Sequence, residues 1–95
     1  MSGTAGRRSA GPTLRSRAMD DAGAVLEVAV DVARNGAGLE AALPRVIHRS
    51  HRNHDAVAAA LELARAARHR LPDQSALYDR AVSILEGCLK TGLFR

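Results

Sequence analysis

Apolar residues along this chain recur at helical spacing and fall into four stretches separated by turn-forming residues. The first stretch predicts a helix from about Asp20 to Arg34, with Val25, Val28, Ala29 and Val32 on one face. Asp20 and Asp21 suit its N-terminal end, and Asn35-Gly36 supplies its stop. The Val content would also suit a strand, but strict alternation is absent and the span is long for one. The second helix begins after Gly38 and places Leu39, Leu43, Val46, Ile47 and Ser50 on one side. Pro44 costs about 3 kcal/mol in a helix interior, which predicts a start near Leu43 or a bend at the proline. Asn53-His54-Asp55 marks a turn and offers an N-cap to a third helix, which runs to about Arg70 through Val57, Leu61, Ala64 and Leu71. Leu71-Pro72-Asp73 ends it. Asp73 or Ser75 can cap a fourth helix, which turns Leu77, Ala81, Ile84, Leu85 and Cys88 inward and closes at Gly92.

Two internal correspondences suggest a helical unit used twice. Ala29-Val30-Asp31-Val32-Ala33-Arg34 returns as Ala60-Leu61-Glu62-Leu63-Ala64-Arg65, 31 residues later. At an offset of 38 residues, Leu39, Val46, Ile47, Arg52 and His54 correspond to Leu77, Ile84, Leu85, Lys90 and Gly92. Periods of about 20 to 50 residues are the mark of arrays built from helix pairs. The expectation is an all-α domain over residues 20–95, with about four helices in consecutive antiparallel hairpins as a small helical-repeat-like bundle. A flexible basic tail over residues 1–19 precedes it.

Composition narrows this picture. Tyr78 and Phe94 are the only aromatic residues, so the core must come from Leu, Val, Ile and many Ala, which favours closely approaching helices. The single Cys88 excludes an intrachain disulfide and suits a reducing compartment. No apolar run reaches the roughly 18 residues of a membrane span, and no secretory h-region opens the chain, so a soluble intracellular protein with no membrane role is expected. The first 19 residues hold Arg7, Arg8, Arg15 and Arg17 and no acid. That is the composition of a disordered basic tail or of a transit peptide for a mitochondrion or plastid.

The net charge of +4 rests on thirteen Arg and one Lys, which makes a polyanion such as RNA a physically reasonable partner. Arg45, Arg49 and Arg52 recur at i, i+4 and i+7, forming one ridge opposite the Leu39/Leu43/Ile47 face, and Arg65 and Arg68 form a shorter ridge on the third helix. Two such ridges could follow a phosphate backbone, or could be the ordinary solvated side of an amphipathic helix. His48, His51 and His54, followed by Asp55, invite a zinc reading. Their directions spread over about 120° of a helix and nothing completes a tetrahedral set, so solvated or capping imidazoles are the simpler account. Cys88 lies on an apolar face without a base beside it, and no phosphate loop or useful carboxylate pair is present. An enzyme is not expected, and no cofactor or metal is implied.

The segment Ser83-Ile84-Leu85-Glu86-Gly87-Cys88-Leu89-Lys90-Thr91-Gly92 resembles the first helix of a pentatricopeptide repeat, and Pro72-Asp73 resembles the junction before it. Val46-Ile47, leading to Arg52-Asn53-His54-Asp55-Ala56, resembles a degenerate copy. The likeness covers about Leu39 to the C-terminus, although Ala81 replaces the family's usual aromatic residue. Tetratricopeptide repeats resemble the same helix-turn-helix pattern. The pentatricopeptide resemblance implies single-stranded RNA as ligand, about one base per repeat, with Ser83 at the position that contacts a base.

Two functions are therefore expected to compete. The first is a non-catalytic binding module for RNA through Arg45, Arg49, Arg52, Arg65, Arg68 and Ser83. The second is a protein-interaction adaptor or obligate homo-oligomer that uses Leu89, Leu93 and Phe94 at the apolar C-terminal end.

Overall fold

The computed structural model describes the backbone from Leu14 to Arg95 and side chains from Met19 onward, so most of the expected basic tail lies outside the described residues. Four α-helices make up the described chain: α1 (Leu14–Arg34), α2 (Leu39–Ser50), α3 (His54–Arg70) and α4 (Ser75–Lys90), with a 3-10 turn at Pro72–Gln74 before α4. No strand occurs among the described residues, as the helical periodicity predicted.

Helix α1 begins at Leu14 and not near Asp20. Leu, Arg, Ala and Met, which fill most of the preceding positions, are strong helix formers, and nothing between Leu14 and Met19 breaks the helix. Asp20 and Asp21 therefore lie inside the helix, where Asp21 meets His51 instead of capping a terminus. The far end closes as predicted. Gly36 takes φ +73°, the Gly36 amide donates to the Ala33 carbonyl, and the Ala37 amide donates to the Val32 carbonyl, which satisfies two terminal acceptors in a left-handed cap.

Helix α2 begins at Leu39 and continues through Pro44, correcting the expectation of a start near Leu43. Gly38 precedes its first turn without a side-chain cap, and Pro44 is exposed, so the Glu40 carbonyl that loses a donor faces water. Its buried face is Ala42, Val46 and Ser50, with Leu43 and Ile47 half-buried. Leu39 was expected on that face but is 37% exposed, its methyl groups lying over Gly87 of α4.

The α2–α3 turn uses the same kind of cap with unusual residues. His51 and Arg52 have φ of 54° and 59°, left-handed values that cost non-glycine residues roughly 1–2 kcal/mol each. Three contacts hold the turn. The Asn53 carboxamide oxygen accepts the Asp55 amide at 2.9 Å, as the predicted N-cap. The Arg52 carbonyl accepts the Arg95 amide at 2.8 Å, and the His54 amide donates to the Arg95 carbonyl at 2.7 Å. The last residue is thus laced to this turn by two backbone hydrogen bonds. Two sequence expectations fail at the next junction. Leu71 is exposed because the chain leaves helical geometry there, and neither Asp73 nor Ser75 caps α4 with its side chain.

Helix α1 packs against each of the other three, α3 and α4 form a second large interface, and α2 touches α3 and α4 only lightly. The contact of α1 with α4 closes the set. Both copies of the near-repeat lie on the mutually packed helices α1 and α3, where Ala29, Ala33, Ala60 and Ala64 are at most 1% exposed. Side chains this small let helix axes approach closely, toward the roughly 8 Å end of the usual range. Val25, Val46, Val57, Leu85 and Cys88 fill the remaining interior. Among the described residues, no helix is long and apolar enough to cross a membrane.

Candidate nucleic-acid interface

The arginines expected to form two ridges are dispersed by tertiary structure. Arg45 projects from α2 toward α1, where its guanidinium donates to the Asp31 carboxylate at 2.9 Å. Arg49 stands one turn further along α2. Arg52 leaves the row, because α2 ends at Ser50 and the left-handed turn re-aims the chain. Arg65 donates to Glu62 on its own helix and to Glu86 on α4, both at 3.0 Å, and Arg68 donates to Asp79 of α4 at 2.7 Å. These two side chains fasten α3 to α4 and do not continue the α2 row. Ser83 is exposed on α4 in a different depression of about 590 Å³, beside Gly36, Leu39 and Arg80.

One place does gather cationic and aromatic groups. A furrow of about 550 Å³ along α1 is lined by Leu26, Val30 and the Tyr78 ring, with Arg34, Arg45 and Arg49 around it and the carboxylates of Glu27 and Asp31 among them. Leu26, Val30 and Tyr78 are half-buried, which fixes the apolar floor. A smaller depression of about 310 Å³, lined by Pro44, Arg45, His48 and Arg49, carries the basic surface along α2. The sequence reading missed Arg34 and Tyr78 as site residues. Leu26, Val30 and Arg34 at i, i+4 and i+8 were the available signal, a second strip beside the Val25/Val28/Val32 stripe.

The histidines separate. His51 Nδ1 lies 2.9 Å from Asp21 Oδ2, His54 Nδ1 lies 3.8 Å from Asp55 Oδ1, and His48 borders Pro44 and Arg49. Among the described residues, no three His, Cys, Asp or Glu side chains converge as a metal site. Cys88 is fully buried, and burial pushes its thiol up to about 11, so the thiolate is suppressed at neutral pH. At the C-terminal end, Leu89 and Phe94 are half-buried against the core, and of the three expected interface residues only Leu93 stands open, at 49% exposed. The apolar surface expected from that trio is therefore mostly consumed within the fold.

No protein-family model matches the chain, and neither a similar curated protein nor a similar solved structure is found.

Proposed function

We propose that this chain is a non-catalytic helical binding module that takes single-stranded RNA on the α1–α2 face. The observation that carries the reading is the furrow whose lining brings Arg34, Arg45 and Arg49 together with the chain's lone tyrosine, Tyr78. Arginines supply phosphate contacts and planar stacking surfaces, and an aromatic face accepts any base without demanding a particular one. The other aromatic, Phe94, does not line this furrow, so Tyr78 is its one stacking surface and the footprint is one or two nucleotides. Arg52, Arg65, Arg68 and Ser83 are not part of this narrower site.

Three phosphate contacts predict modest affinity and a log–log salt slope of about −2. Asp31 restrains Arg45, so its removal should strengthen binding. The test is fluorescence anisotropy with a labelled oligouridylate over a salt series. Replacing Arg34, Arg45 and Arg49 together by Gln should abolish binding and flatten the slope, Tyr78→Leu should weaken it, and Asp31→Asn should tighten it. Unchanged affinity in the triple variant overturns the proposal.

A further inference from the structure

Among the described residues, the outward side of α3 exposes Leu63 and Ala66, flanked by Ala59, which is partly buried against the core. Ala59, Leu63 and Ala66 follow one another at steps of four and three residues, the spacing of a two-helix seam, and Arg70 continues the row. Leu63 is 36% exposed, Ala66 is exposed, and Leu71 just past the helix is 42% exposed. Charge along this side is polar in the literal sense. Asp55 and Glu62 occupy its first half, while His69 and Arg70 occupy its last turn. Glu62 accepts from Arg65 through one oxygen, yet its side chain remains 71% exposed.

We propose that this face binds a second copy of the same chain, α3 against α3, antiparallel about a two-fold axis near Ala66. The charge distribution selects that partner and that direction. An antiparallel copy brings Glu62 beside the partner's His69 and Arg70, and the same contacts repeat in reverse, as an isologous interface requires. A parallel copy would stack like charges on like. Ala66 lets the two backbones approach at the axis, and Leu63 fills the space over the partner's Ala66. Stable complexes bury about 1,200–2,000 Å², which one face of a 17-residue helix does not reach, so the dimer is reversible and depends on concentration. The surface is on a different helix from the RNA furrow, and the two proposals stand or fall separately.

Sedimentation equilibrium of the intact chain from micromolar to millimolar concentration tests the dimer without any nucleic acid. The wild type should move from monomer to dimer across that range. Ala66→Glu sets two carboxylates face to face at the axis and should weaken association at least roughly tenfold. Glu62→Arg and Arg70→Glu should each weaken it, and the double reversal should restore it. Circular dichroism confirms folding of each exposed-site variant, and Ala66→Cys, which should form a disulfide-linked dimer under mild oxidation, supplies an independent readout because Cys88 is buried. A wild type that stays monomeric at millimolar concentration overturns the proposal. So does a dimer indifferent to Ala66→Glu, or a double reversal no better than either single change.

Discussion

Gly87 offers a quantitative test of how α2 is seated on α4. A methyl group added there would meet the Cδ2 and Cδ1 atoms of Leu39 at 3.2 and 3.3 Å, closer than comfortable van der Waals contact. Glycine within a helix gives up about 0.8–1.0 kcal/mol relative to alanine, so Gly87→Ala gains that amount and then loses whatever the displacement of Leu39 costs. Leu39 is 37% exposed and lies in the first turn of α2, with solvent to move toward. A radial gap of about 0.5–1 Å forfeits a quarter to a half of a contact's attraction, and a half-exposed leucine has only part of its roughly 1.5–3 kcal/mol of burial at stake. The expected net gain is about 0.5 kcal/mol. Gly23, on the exposed side of α1, would place an added methyl group in open space with nothing within 4 Å, and Gly23→Ala should deliver the full ~1 kcal/mol. Thermal unfolding resolves the two, since ~1 kcal/mol corresponds to about 4–8 °C in a domain of this size. In a Leu39→Ala background the two alanine gains should become equal. Net destabilisation by Gly87→Ala, or a gain indifferent to the residue at position 39, would refute the reasoning.

Two further outcomes follow from the cap and core. His51 occupies the left-handed position that Gly36 fills at the end of α1, so His51→Gly should be neutral or slightly stabilising, with relief of about 1 kcal/mol offset by loss of the exposed Asp21 contact, whereas Gly36→Ala should cost about 1 kcal/mol by chemical denaturation. Cys88 should resist an aromatic disulfide reagent in the folded chain and react on unfolding. Its folded pKa is raised from 9.0 to about 11, so the folded state holds the proton after the unfolded state has released it. Its contribution to stability is therefore fully present below pH 9 and is lost at up to about 1.4 kcal/mol per unit between there and pH 11. Cys88→Ala should remove that part of the alkaline fall.

Helical spacing revealed what depends on local pattern: four helices, the Gly36 and Gly92 turns, the Asn53 cap and most buried positions of α1, α3 and α4. It failed where tertiary contact decides. The start of α1 was obscured because Asp20 and Asp21 look like terminal residues, yet one of them serves a partner 30 residues away. The buried side of α2 is turned toward Ala42, because Leu39 lies across Gly87 on a helix whose placement no local window contains. The arginine rows read as continuous until α2 stopped at Ser50 and carboxylates on other helices claimed Arg45, Arg65 and Arg68. Tyr78 joins Arg34 in one furrow only after α4 folds back on α1, a proximity with no signature in the spacing of either residue.

Nine of the nineteen buried apolar residues among those described are alanine, which changes how this core can be interrogated. Alanine has no rotamers to freeze, so nearly half of the interior is assembled without side-chain entropy loss. Truncation to alanine is undefined at those nine sites, and a conventional scan would leave the small-residue part of the α1–α3 contact unprobed. Enlargement is the informative direction: a valine at position 29, 33, 60 or 64 forces apart backbones that the methyl group allowed to meet, at a typical cost of about 1–3 kcal/mol. The domain is thus specified by how little occupies the space between its helices, and its tolerance to mutation should be sharply one-sided.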